Sequence, residues 1–111
     1  SSDNTLEAGD VAFVYAATFT SGTTLDLTAL QDNLFGTQDL TGETLQAILV
    51  NNNSSTNNLT IAGSYPILGG TLVVPPGGKL LLYKPTTTAV SSSYKTITFS
   101  GSTSYEVMLI F

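Results

Sequence analysis

A chain of 111 residues is one domain's worth of polypeptide, able to bury about two-thirds of its unfolded surface around one core and no more. Charged residues are only 10% of it, and Lys79, Lys84 and Lys95 stand against eight Asp plus Glu for a net charge of −5; no cationic footprint for nucleic acid exists, and anionic membranes are disfavoured. Neither His nor Cys occurs, which excludes Ser-His-Asp and Cys-His catalysis, His-metal and thiolate sites, and disulfides.

In chain order, residues 1–9 are polar and read as an N-terminal arm, ordered only where something holds it; residues 10–111 read as a single domain. Val11, Phe13, Tyr15, Ala17 and Phe19 alternate at period two, the pattern of a half-buried strand. Ala12, Val14 and Ala16 make the other face small or apolar too, so the strand is expected to be covered on both sides, by a partner subunit or by the rest of the domain. Thr20-Ser21-Gly22 is a turn, and Thr24 to Thr28 a short strand with Leu25 and Leu27 inward. Thr28-Ala29-Leu30-Gln31 matches a capping box, and Leu27, Leu30 and Leu34 recur at near-helical spacing before Gly36. At most one short helix is expected there, with an irregular excursion over 29–44 as the competing reading.

Leu45 to Val50 is a nearly continuous apolar run, expected as a buried strand. Asn51 to Asn58 has the composition of a hairpin-type loop. Leu59 to Ala62 and Thr71 to Val74 are strands around the turn-rich Gly63–Gly70 segment. Pro75-Pro76-Gly77-Gly78 fits a type II turn, Pro76 supplying the fixed φ and Gly77 the positive one. Strands follow over Lys79–Tyr83, Tyr94–Phe99 and Tyr105–Phe111, the last with Tyr105, Val107, Leu109 and Phe111 on one face. About eight short strands predict an antiparallel β-sandwich. Eight strands in two sheets suit a jelly roll and seven an immunoglobulin-like arrangement; a jelly-roll-like sandwich is the expected fold.

Residues able to carry chemistry are few. Asp26, Asp32, Asp39, Glu43 and Glu106 are the candidates for a carboxylate pair, and Asp32, Asn33, Asp39 and Glu43 for a calcium loop, but their spacing does not match the DxDxDG pattern. They read as solvated surface acids, so no catalytic residue, metal site or cofactor is expected. Tyr65 and Tyr94 are the candidate exposed rings for a glycan. Asn52, Asn53 and Asn58 fall in N-x-[ST] matches, which matter only in a glycosylating host.

The order Ala47-Ile48-Leu49-Val50-Asn51-Asn52, then Asn58-Leu59-Thr60-Ile61-Ala62-Gly63, then Leu72-Val73-Val74-Pro75-Pro76-Gly77-Gly78-Lys79-Leu80-Leu81-Leu82, closes on a Ser/Gly/Tyr turn and a hydrophobic strand. Together with Thr24 to Leu30 upstream, it resembles the small β-sandwich structural proteins of tailed-phage virions, the capsid decoration (cement) proteins and head or tail appendage domains, over roughly residues 23–111. The resemblance carries over no catalytic residue. It implies a non-enzymatic subunit that self-associates, as a trimer for example, and binds a major capsid or other virion protein, with the virion as its location. Val11, Phe13 and Tyr15 on the first strand, and Met108 and Ile110 on the last, are the candidate interface residues. A carbohydrate- or receptor-binding module is the first alternative, and a secreted or cell-surface bacterial subunit, such as a pilin, the second.

Overall fold

The computed structural model describes residues 12–32, 34–67 and 70–111. The expected arm over 1–9 lies outside them, as do Val11 and Asn33. Among the described residues there is no helix, and ten antiparallel strands are present: β1 (Val14–Phe19), β2 (Thr23–Asp26), β3 (Leu30–Asp32), β4 (Gly36–Gln38), β5 (Ala47–Asn52), β6 (Leu59–Ala62), β7 (Leu72–Val74), β8 (Lys79–Tyr83), β9 (Thr96–Ser100) and β10 (Tyr105–Ile110).

Eight strands form two sheets of four. The first has the order β1-β10-β5-β8 and the second β2-β9-β6-β7; β3 and β4 form a separate hairpin. Period-two alternation sends one side chain in two to a common core. The first sheet contributes Tyr15, Leu109 and Ile48, and Val107 with Val50; the second contributes Leu25, Ile97, Phe99, Leu59, Ile61 and Val74. One core fed by two sheets makes the body sandwich-like. Tyr105 lies between Phe19 and Phe99, with ring centroids 5.4 and 5.7 Å away. The odd-numbered face of β1 packs inward, with Phe13, Ala17 and Phe19 partly buried against the core.

Four of the five described passages that lead directly from one of these sheets to the other leave from the same end, β1 to β2, β5 to β6, β7 to β8 and β9 to β10; the fifth, β8 to β9, leaves from the opposite end. The Asn51–Asn58 segment is one of them. It crosses between sheets, so it is no hairpin. Its organiser is Asn52, only 1% exposed, on the inward phase set by Ile48 and Val50. The Asn52 side-chain amide donates to the carbonyls of Asn57 (2.8 Å), Val74 (3.0 Å) and Pro75 (3.2 Å). Its Oδ1 accepts from the Ser102 hydroxyl (2.7 Å) and the Ser54 N–H (3.2 Å). One side chain thus ties three crossovers together. Tyr105 holds the fourth, its hydroxyl donating to the Ser21 carbonyl at 2.7 Å. The Pro75–Gly78 crossover is the expected type II turn: Gly77 has φ 71° and the Gly78 N–H donates to the Pro75 carbonyl at 2.9 Å.

The short helix over Thr28 to Gly36 does not form. The Asp26 carboxylate takes both the Thr28 N–H (2.9 Å) and the Thr28 hydroxyl (2.7 Å), turning Thr28 back toward β2 instead of forward as a cap. Leu27 and Leu30 are buried while Leu34 is 85% exposed, so the apolar spacing never defines one helix face. Gln31 donates across the β3–β4 hairpin to the Thr37 hydroxyl at 2.9 Å. Asp32 Oδ2 accepts from the Leu34 and Phe35 N–H groups and shapes the hairpin turn.

Asn52→Ala removes several buried partners at once, and each polar group stranded in a core costs about 1–3 kcal/mol. Urea unfolding of this variant is expected to show a loss of about 3 kcal/mol or more. Asn53→Ala, at an exposed neighbour, is expected to stay within about 0.5 kcal/mol of wild type.

Candidate functional site

The register defines what each sheet shows on its outer side. Across the first sheet one row runs Val14, Ile110, Ala47, Tyr83, and the next Ala16, Met108, Leu49, Leu81. A third row, toward the crossover end, runs Thr18, Glu106, Asn51, Lys79. Two of three rows are thus apolar, and Leu81 is 66% exposed, with Val14, Leu49, Tyr83 and Met108 also in contact with solvent. The small side chain of Ala16 leaves a groove lined by Ala16, Thr18, Leu49, Asn51, Glu106 and Met108.

The second sheet is built differently. Its outer side carries Thr24, Thr98 and Ala62 in one row and Thr60 with Ser100 in the next. Thr24 and Thr98 share a hydroxyl–hydroxyl bond at 3.1 Å, and Val73 is the large apolar residue exposed there. A Thr/Ser face satisfies itself in water. A face of Leu, Met, Val and Tyr does not, and exposed apolar patches of that kind mark interaction sites. A second exposed apolar feature is the tip of the β3–β4 hairpin, where Leu34 and Phe35 (70% exposed) project beyond the body.

Of the interface residues expected from sequence, Met108 and Ile110 lie on this outer face. Tyr15 does not: it is buried in the core, and Phe13 packs against the core from the same side of β1. The exposed face of β1 is the even-numbered one, with Val14 and Ala16; the described residues do not provide the expected second cover. Alternation identified the two faces of β1 but not which is outermost, because both are apolar. Leu49, Leu81 and Tyr83 join the face only through the β10–β5–β8 register, which spacing along the chain does not reveal.

The tyrosines separate cleanly. Tyr65 is not an exposed ring: it is 2% exposed. Its hydroxyl donates to the Thr88 carbonyl (2.6 Å) and accepts from the Leu45 N–H (2.9 Å), tying three connections, the β8–β9 crossover among them, at the end opposite the other four crossovers. Its segment is held close by Gly63, at φ 125°, where a Cβ would lie 2.2 Å from the Thr96 carbonyl oxygen. Tyr94 is exposed beside the Ser91–Ser93 turn.

The acids act locally. Asp26 holds Thr28, and Asp39 holds the Thr41 N–H and hydroxyl. Glu106 Oε1 accepts from the Asn53 amide at 2.9 Å. Among the described residues, no three acidic side chains gather where a metal ion could be held. Of the N-x-[ST] matches, Asn52 is committed to the core network, whereas Asn53 and Asn58 are exposed.

No protein-family model matches the chain, and neither a curated protein nor a solved structure shows significant similarity to it.

Hydrogen bonds from Thr28, its hydroxyl foremost, lower the Asp26 pKa, and those from Thr41 do the same for Asp39. Burial raises the hydroxyl pKa of Tyr15, Tyr65 and Tyr105. The depressed carboxylates stabilise the fold above the unfolded carboxylate pKa and lose that contribution as pH falls through the folded one. The raised tyrosines stabilise it below about pH 10, the unfolded tyrosine pKa, and lose that contribution as pH climbs past it. Thermal melts are expected to show a broad plateau across neutrality, with losses at the acid end and at the alkaline end. Tyr65→Phe, which strands the Leu45 N–H and the Thr88 carbonyl, should lower stability by about 1–3 kcal/mol.

Proposed function

We propose that the chain is a non-enzymatic structural subunit of a virion, a capsid decoration or appendage protein that works by self-association and by binding the particle's lattice. The observation that carries this reading is the apolar outer side of the first sheet, on a body whose other sheet shows a self-satisfied Thr/Ser face. Among the described residues no buried side-chain nitrogen or oxygen lacks a hydrogen-bond partner. The polar interior is therefore spent on holding loops, and the outer surface is where unmet binding capacity lies.

The strand order supports a jelly roll as the specific architecture. Facing sheets ordered β1-β10-β5-β8 and β2-β9-β6-β7 are what a folded-over pair of Greek keys produces, with β3–β4 inserted in one connection. A jelly roll suits a virion role because its rigid double layer presents broad faces and projecting loops to neighbours. The Leu34–Phe35 tip is the part of this chain best shaped to insert into a lattice crevice.

Co-sedimentation with purified phage capsids tests the proposal. Saturable binding is expected, weakened about tenfold or more in Leu34→Ser/Phe35→Ser, since two anchoring apolar side chains contribute more than about 1.4 kcal/mol together. A wild-type chain that neither associates with itself nor binds particles, but gives a glycan-array signal abolished by Tyr94→Ala, would replace this reading with that of a carbohydrate-binding module.

A further inference from the structure

The outer face of the first sheet carries two charges, and their placement specifies a partner. Glu106 on β10 and Lys79 on β8 stand in the same row, on either side of Asn51 of β5. They are two strands apart, about 10 Å, with Asn51 between them, and within its own subunit the Glu106 carboxylate accepts from the Asn53 amide. A two-fold axis running along β5, in the plane of contact, exchanges β10 with β8 and leaves β5 facing its own copy. That one operation sets Glu106 of each subunit opposite Lys79 of the other, twice per dimer. It also sets Met108 against Leu81, Leu49 against Leu49, and Ile110 against Tyr83. No charge is left facing an apolar row or a like charge. Face-to-face sheets aligned within about 30° are an ordinary packing mode, so the axis requires no distortion of the strands.

We infer that a second copy of this chain covers the face, through an isologous contact with its two-fold axis along β5. The inference rests on the self-association proposed above and deepens it by naming surface, symmetry and register. With the axis along β5, the strands β10, β5 and β8 face their copies while β1 lies at the margin; three strands by three rows span on the order of 300 Å² per subunit, well below the about 800 Å² of a standard interface. The pairing is therefore reversible and concentration-dependent, the type of contact that gains strength when many copies are held on one surface.

Sedimentation velocity across a concentration series reaching the millimolar range tests it, on wild type, L81D, K79E, E106K and the K79E/E106K exchange. Thermal melts confirm folding; Leu81 and Lys79 are both exposed. The expected result is a monomer–dimer equilibrium abolished by L81D, weakened about tenfold or more by each single charge reversal, and restored toward wild type by the double exchange. Recovery in the double variant is specific to a register that opposes these two residues. A wild-type dimer indifferent to L81D, or single reversals without effect, overturns the inference while leaving self-association standing. A double exchange no better than the single reversals overturns the register. A wild type that stays monomeric throughout overturns the inference, and one that also fails to bind capsids overturns the reading it rests on.

Discussion

The Asn52 side chain is the constraint on which the rest of the structure depends. Two stacked sheets must hand the chain back and forth, and each crossing exposes backbone carbonyls and N–H groups that neither sheet can pair. Here four of the five direct crossings share one end, and a single buried amide serves three of them. It takes carbonyls from its own loop and from the β7–β8 turn, and a hydroxyl from the β9–β10 turn. A buried polar network that is fully satisfied rigidifies what it joins, because every alternative arrangement leaves a desolvated group without a partner. Tyr65 plays the matching part at the opposite end, through Leu45 and Thr88. The sandwich-like body is in effect pinned at both ends by side-chain hydrogen bonds, in a chain that has no cysteine to cross-link.

Rigidity of this kind matters for what the outer faces can do. A face held in fixed register presents Val14, Met108, Leu49 and Leu81 as one surface instead of as independent side chains. Little conformational entropy remains to be lost when something covers it, which favours binding from a modest area. The second sheet, clothed in threonine and serine, has no comparable need of a partner. The asymmetry between the two outer faces, more than any single residue, is what the proposed contact role rests on.

Much of this was legible in the sequence, for identifiable reasons. Alternation located β1 and β10 closely, the apolar stretch after the Pro75–Gly78 turn located β8, and Pro76-Gly77 matched the type II turn. The inward phase Ile48, Val50 was also the one signal that could have singled out Asn52 from its polar neighbours, since period two carries it to the core side. The hairpin at Leu30 to Gln38 was misread as a helix because a Thr-x-x-Gln spacing can form a capping box only if the Thr is free, and Asp26 two residues upstream competes for it. Tyr65 was expected at the surface because its loop is rich in Gly and Pro, a composition that reports turning and not depth. The outer face was only half visible, because Met108 and Leu81 become neighbours through strand pairing alone.

The central claim is that this chain acts through the outer face of its first sheet. It is tested most directly by following methyl and backbone NMR signals as the protein is diluted. The account predicts that the shifts which move cluster on Leu49, Leu81, Met108 and Ile110, while the Thr-rich face and the Asn52 and Tyr65 ends stay still. Concentration-dependent shifts centred on the crossover loops or the second sheet, or none at all, would contradict it.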